Sequence, residues 1–353
     1  MNALRLASID DGRPGIGPET IHIDVTNGCN TNCITCWDHS PLLTIGRNAA
    51  WKRRRVTVEG VEDILDDAQS LRGLKAVILS GMGEPFTHPD IYRMITVVKA
   101  RRLHLTIITN LVAADADQIL ALDVDQLLVG VHAASERAYL AFHPSFRPAE
   151  WDRLRAMLRQ LRDAGKRYKH VQVVCRVNAD ELPDMVRFAH EHRAAQVSFK
   201  LASLRGGTED CRIDEAQRAR LVAELVPEAA RVAGELGVAT NLDVFAAQLG
   251  AGGGATAPIA DVGCFMGYYY ARITVDGTVL YCCNTDVVVG SLADARFADQ
   301  WRGEAWQALR DRLRGGAYLP SCDQCGKLNQ NVNIGRAFAA AYGDGRLRQV
   351  TGR

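Results

Sequence analysis

The chain has 353 residues, enough for about two domains, with 47% hydrophobic and 24% charged residues, ordinary values for packed cores. A formal net charge of +1 supplies no overall field for nucleic acid or an anionic membrane. No apolar run reaches the length of a membrane span and residues 1–11 lack the apolar stretch of a signal peptide, so a reducing, cytoplasmic setting is expected.

From residue 20 to about 205, β-branched runs alternate with amphipathic stretches. Strands are expected at 21–26, 76–80, 103–109, 126–131, 171–177 and 196–201. Helices are expected near 59–72, 89–101, 115–122, 150–164 and 181–193. In the fourth of these, Leu154, Leu158 and Leu161 share one face and four arginines fall largely elsewhere. Repeated strand–helix alternation predicts an α/β fold with parallel pairing, either an open sheet or an incomplete barrel. Functional residues then collect at the C-terminal ends of the strands. A long helical segment, 214–237, follows, and the Gly/Ala-rich stretch 250–258 is the best linker. Beyond it, residues 270–281 alternate on both sides of Asp276-Gly277, a two-residue hairpin signal. A helix near 297–313 leads to Cys322-Asp323-Gln324-Cys325. The expected organisation is a core over 1–210, a helical connection over 211–258 and a small α/β module over 259–353.

The chemistry begins at Cys29, Cys33 and Cys36, directly after the first strand. Three thiolates on one tight loop can hold three corners of a cubane cluster and leave its fourth iron open for chemistry. Zinc is the other reading, with His39 as a fourth ligand. The second strand ends in Gly81-Met82-Gly83-Glu84-Pro85, where the glycines admit a ligand against the backbone or simply make a turn. Thr109-Asn110 after the third strand can reach a ribose or a carboxylate, or cap a helix.

Ten cysteines cluster by position, which in a reducing compartment points to metal. Cys264 and Cys282 flank the hairpin, and Cys322 and Cys325 follow about forty residues on. Four such thiols make a zinc knuckle or a second cluster; spacing alone leaves both open. Cys283 reads as a hairpin residue, an alternative ligand or a hydrogen-atom donor. Cys175 and Cys211 read as buried small apolar residues. The run Trp51-Lys52-Arg53-Arg54-Arg55 reads as a solvated loop, or as a clamp on an anionic substrate group.

Taken together these motifs resemble the radical S-adenosylmethionine (SAM) superfamily over roughly residues 20–205. The cysteine loop with Trp37 is similar to the family's cluster loop, and Gly81–Pro85 to its Gly-Gly-Glu-Pro motif, with Met82 for the second glycine. Residues 129–139 look like its fourth-strand segment, with His132 where aspartate is frequent, and Cys175-Arg176-Val177-Asn178 looks like its fifth-strand segment. The tail, with Gly277-x4-Cys282 and C-x2-C, is similar to the twitch module, the short form of the SPASM domain. The resemblance implies a partial (β/α)6 TIM-like barrel with a small twitch domain. It implies SAM held near Gly81, Met82, Gly83, Glu84, Thr109, Asn110, Arg176 and Asn178, with one 4Fe-4S cluster at each cysteine set. Reductive cleavage of SAM then gives a 5′-deoxyadenosyl radical that abstracts a substrate hydrogen, and the second cluster takes an electron from the product radical. His132 and Lys200, with His143 nearby, are candidate bases. A hydrogen returned by Cys283 would make the reaction an epimerisation.

The expected function is a radical SAM oxidoreductase acting on a small polar substrate of sugar or aminocyclitol type, with an anionic group on the substrate where the basic run acts as a clamp. An external one-electron reductant of flavodoxin or ferredoxin type is implied. A peptide or protein maturase is the alternative, made less favourable because 28 residues before Cys29 are too few for a leader-binding domain. A zinc protein or electron carrier is the third class. It has no use for the Gly81–Pro85 loop or for an open three-cysteine site.

Overall fold

The computed structural model describes residues 3–122, 124–251 and 258–353. The central feature is one nine-stranded sheet, in the order β6-β5-β4-β3-β2-β1-β7-β8-β9. Strands β1 (Thr20–Asp24), β2 (Ala76–Ser80), β3 (His104–Thr109), β4 (Gln126–Gly130), β5 (Tyr168–Val174) and β6 (Val197–Leu201) are all parallel. Parallel neighbours need a crossover, and helices such as Val58–Ser70, Ile91–Ala100, Pro148–Asp163 and Leu182–Glu191 supply it. These are the six strand–helix units expected, with no end displaced by more than three residues.

The C-terminal module is not a detached body. Its first strand, β7 (Tyr270–Ile273), pairs in parallel with β1, Thr20 opposite Tyr270. Antiparallel β8 (Thr278–Leu280) and β9 (Val288–Ser291) continue the sheet. One apolar core runs from Ile21, Leu79 and Ile107 to Tyr281, Trp301 and Phe338, so the module shares its interior with the barrel.

Several details differ from the sequence reading. The hairpin has three residues, Val275-Asp276-Gly277, between the hydrogen-bonded Thr274 and Thr278, and Gly277 takes φ +79°. The extra residue closes a common three-residue loop with glycine in the left-handed position. The helical segment expected over 214–237 runs without a gap from Glu215 to Leu236, but carries a π turn at Leu221–Leu225. Pro227 lacks the N–H that a regular α-helix would use there. The helix near 297–313 divides at Gly303. Of the expected linker 250–258, residues 252–257 lie outside the described residues, and Gly250 ends the helix Leu242–Gly250. That helix and Val226–Leu236 share a second apolar core with β6 and Leu182–Glu191. Among the described residues no helix is long and apolar enough to cross a membrane.

Candidate active site

Cys29, Cys33 and Cys36 sit on the loop after β1, tied down at both ends. Ile34 N–H donates to the Phe142 carbonyl at 3.0 Å, and Ser40 Oγ donates to the Ile34 carbonyl at 2.8 Å. Beneath the loop, Ile34 and Phe142 pack on the buried thiols Cys175 and Cys211, which act as small apolar residues, as expected. The segment after β2 presses directly on the loop. A Cβ on Gly81 would lie 2.6 Å from the Thr26 carbonyl oxygen, and one on Gly83 would overlap the Gly28 carbonyl. Glu84 N–H donates to that same Gly28 carbonyl at 2.8 Å. The glycines here let two backbones meet beside Cys29, and the Met82 carbonyl is left to bond His39 Nε2 at 3.0 Å.

Two cavities of about 510 Å³ each open at the strand ends, a size suited to small molecules. The first is lined by Cys29, Cys33 and Cys36, by Gly81, Met82 and Gly83, and by Lys200 on β6. The second is lined by Cys264, Cys282, Cys322 and Cys325. Trp37, Ser203, Arg205 and Cys283 line both, so the two spaces share one wall. Trp37 Nε1 donates to the Ser203 carbonyl at 2.7 Å, and the Arg205 guanidinium lies 3.7 Å from the Trp37 ring centroid.

The donor sets fit iron–sulfur clusters. Among the described residues, no three His, Cys, Asp or Glu side chains gather tightly enough for a single ion. The thiols instead stand around two spaces, as ligands to separate irons of a cluster must. Burial pushes Cys29 and Cys264 up to about 12 and Cys325 up to about 11. Thiols so reluctant to ionise do so readily when a metal takes the charge. Cys283 differs: its hydrogen bond with Cys282, then Lys327 and Arg272, lower it to about 6 against the effect of burial.

The remaining candidate residues are occupied within the fold. Glu84 is buried, and burial pushes its carboxyl up to about 7. It accepts from Thr109 Oγ1 at 2.6 Å, Asn110 N at 2.6 Å and Phe86 N at 3.1 Å, tying the ends of β2 and β3 together. Asn110 Nδ2 donates to Asn30 Oδ1 at 2.8 Å, which fixes the cluster loop. Asn178 donates to the His132 and Val173 carbonyls and accepts from Cys175 N–H. Arg176 is exposed, and neither it nor Glu84, Thr109, Asn110 or Asn178 lines either cavity. His132 also misses the cavities. It adopts φ +61°, stacks on Phe142 and accepts from Val173 N–H at 3.1 Å. Burial lowers it to about 3, and His143 to about 4, so both rings are neutral. In the basic run, Arg54 pairs with Asp276 at 3.1 Å and the run lies on the surface, as a solvated loop does.

A buried polar seam between β1, β2 and β7 escaped the sequence reading. Asp24 takes a two-pronged bond from Arg272, Nε at 2.9 Å and Nη2 at 2.8 Å. Burial raises the Asp24 carboxyl against the pull of Arg272. His22 bonds Tyr270 OH at 2.7 Å and Ser80 Oγ at 2.5 Å. Arg272 Nη1 donates to the Cys283 carbonyl at 3.1 Å, and Lys327 lies 4.0 Å from the Tyr270 ring centroid. The signal was present in part: His22 and Asp24 alternate with Ile21 and Ile23, so one face of a buried strand is polar.

Comparison with known proteins agrees with this geometry. Residues 23–189 match the radical SAM superfamily, and residues 264–326 match SPASM, an iron–sulfur cluster-binding domain. The chain belongs to the radical SAM superfamily and carries a SPASM domain. An AdoMet-dependent heme synthase of Methanosarcina barkeri is 23% identical over 316 residues, 83% of this chain and 85% of that protein. The structure of Streptococcus suis SuiB bound to its precursor peptide SuiA has a TM-score of 0.64 at 16% identity, covering 94% of this chain and 73% of that one. Native anSMEcpe with bound AdoMet has a TM-score of 0.63 at 13% identity, covering 95% and 100%. These likenesses show the fold: a radical SAM partial barrel with a small C-terminal domain. Membership makes the protein a SAM-dependent iron–sulfur enzyme, with a 4Fe-4S cluster in the radical SAM domain and further iron–sulfur in the SPASM domain.

Proposed function

We propose that the protein is a radical SAM oxidoreductase acting on a small polar substrate of sugar or aminocyclitol type, seated where the two cavities adjoin. We place the core at 1–210, the connecting helices at 211–258 and the cluster module at 259–353. One observation carries the reading: Trp37, Ser203, Arg205 and Cys283 wall both cavities, so the spaces at the two cysteine sets adjoin. When bound, the cofactors supply a 5′-deoxyadenosyl radical on one side and a one-electron acceptor on the other. Cys29, Cys33 and Cys36 hold the first cluster, and Cys264, Cys282, Cys322 and Cys325 the second. Gly81, Met82 and Gly83 border SAM, and a flavodoxin- or ferredoxin-type protein delivers the electron. Lys200 and Cys283 reach the cavity, whereas His132 does not.

Anaerobic reconstitution tests this. About eight irons and eight sulfides per chain are expected, and the reduced protein should release 5′-deoxyadenosine from SAM. Loaded, reduced protein that releases none overturns the reading. A peptide is the second reading, favoured by apolar side chains exposed beside the cluster loop: Ile45 is 87% and Leu42 43% exposed. The likeness to SuiB with its precursor peptide supports it as well.

A further inference from the structure

Lys52, Arg53, Arg54 and Arg55 are consecutive, cationic and all exposed, on a chain whose net charge is only +1. None of them lines either cavity at the strand ends, so they stand apart from the substrate space. Among the described residues, Arg54 alone of the four makes an ion pair, with Asp276 at 3.1 Å. The backbone beneath these charges is fixed to the residues between β1 and Cys29. Thr26 and Arg55 form an antiparallel bridge, Asn27 N–H donates to the Arg54 carbonyl at 3.1 Å, and Val56 N–H donates to the Val25 carbonyl at 3.1 Å. Asn27 Nδ2 donates to the Trp51 carbonyl at 3.2 Å. Ahead of the run, Asn48 caps the short helix Ala49–Lys52 by accepting from Trp51 N–H at 2.8 Å, and the Arg47 guanidinium lies 4.9 Å from the Trp51 ring centroid. The four cations are therefore held on backbone bonded to residues two and three positions before Cys29.

SAM cleavage needs one electron from outside, and the electron crosses least protein where its carrier sits closest to the cluster loop. Carriers of flavodoxin or ferredoxin type are small proteins with a surplus of carboxylates. Encounters between electron-transfer proteins are small and weak, and charge complementarity sets their rate and orientation. A local block of unpaired cations on a nearly neutral chain supplies such a field at one place. We propose that Lys52, Arg53, Arg54 and Arg55 form the docking face for an acidic one-electron carrier, beside the loop of Cys29, Cys33 and Cys36. One electron leaves the carrier and enters the cluster that those cysteines hold, and no atom is transferred. This rests on the external reductant of the proposed function and gives it a surface. The rival entry is the SPASM domain, where Lys327 stands two residues after Cys325.

The test uses anaerobic, cluster-loaded protein with two purified carriers, an acidic flavodoxin and an acidic 4Fe-4S ferredoxin. Carbodiimide joins lysine amines to carrier carboxylates without a spacer, and mass spectrometry should place the link at Lys52. Links at Lys327 with none at Lys52 overturn the docking face. Carrier affinity of the unaltered protein should fall about tenfold or more when sodium chloride rises from about 0.05 M to about 0.5 M. The combined variant Lys52→Glu, Arg53→Glu, Arg55→Glu leaves Arg54 with Asp276. It should weaken carrier binding about tenfold or more, while 5′-deoxyadenosine release driven by dithionite matches the parent. Arg53→Lys with Arg55→Lys should keep the parent's affinity. An iron-loaded Glu variant that binds carriers as the parent does, affinity that ignores salt, or an unaltered protein that binds neither carrier overturns the proposal. Should the Glu variant lose its iron, the cross-link site and the salt dependence of the unaltered protein still decide. Dithionite separates the two levels. Protein that cleaves SAM with dithionite but ignores both carriers loses the docking face alone; protein that cleaves none with any reductant loses the underlying function as well.

Discussion

A methyl group on Gly83 would overlap the carbonyl of Gly28, one residue before Cys29, and neither backbone can yield without moving the cluster loop. Gly83→Ala should therefore lower stability by about 1–3 kcal/mol, the usual cost of overpacking. It should also reduce iron at the first site while every cysteine is intact. Iron and sulfide analysis checks this, and full occupancy in the variant would show that the contact is dispensable. Glu84 works at the same spot by a different means. Its carboxylate gathers Thr109 Oγ1 and the N–H groups of Asn110 and Phe86, so it positions the ends of β2 and β3 from inside the fold.

The pairing of β7 with β1 joins the cluster module to the barrel, and Asp24 with Arg272 is its buried ionic link. Removing one partner of a buried pair leaves the other charge uncompensated, at a cost of about 3–5 kcal/mol. Asp24→Asn should loosen β7 from β1 and expose the module to limited proteolysis. The C-terminal cluster should be lost before the N-terminal one. Equal protease resistance of variant and parent would argue that the shared apolar core alone holds the module. The same seam carries the Arg272 bond to the Cys283 carbonyl, so the link also fixes the wall between the cavities.

For the whole molecule, two measurements apply. Replacing Cys29, Cys33 and Cys36 by alanine should leave about four irons per chain, and so should replacing Cys264, Cys282, Cys322 and Cys325. A variant of either kind that loses all iron would show that the two sets load together. The second measurement is pH. Burial lowers His132 and His170 to about 3 and His143 to about 4, from an ordinary 6.5. Unfolded histidines take up protons below 6.5 and these folded ones do not. Their contribution is therefore complete above about pH 6.5 and lost as pH falls toward 4, by about 2 kcal/mol per histidine at pH 5. His170 has no partner for either ring nitrogen among the described residues and packs against Tyr168 and Phe188. His170→Phe should flatten the fall in urea midpoint between pH 7 and pH 5, and an unchanged slope would count against it.

The amino-acid sequence by itself determined what depends on near neighbours. C-x3-C-x2-C puts three thiols on one loop wherever that loop lies. The two-residue period and the helical stripe place six strands and their crossovers to within a few residues. The glycines at 81 and 83 mark a close approach, though not what approaches. Only the tertiary structure decided that the approach is to the cluster loop, that β7 adds to β1, and that Glu84, Asn178 and His132 are turned into the fold. It also decided that Trp37, Ser203, Arg205 and Cys283, on separate elements, wall both cavities. These are contacts between residues far apart in the chain, and local periodicity carries no record of a distant partner. Asp24 and Arg272 meet across 248 positions because two strands fall into register, an outcome fixed by packing the whole core.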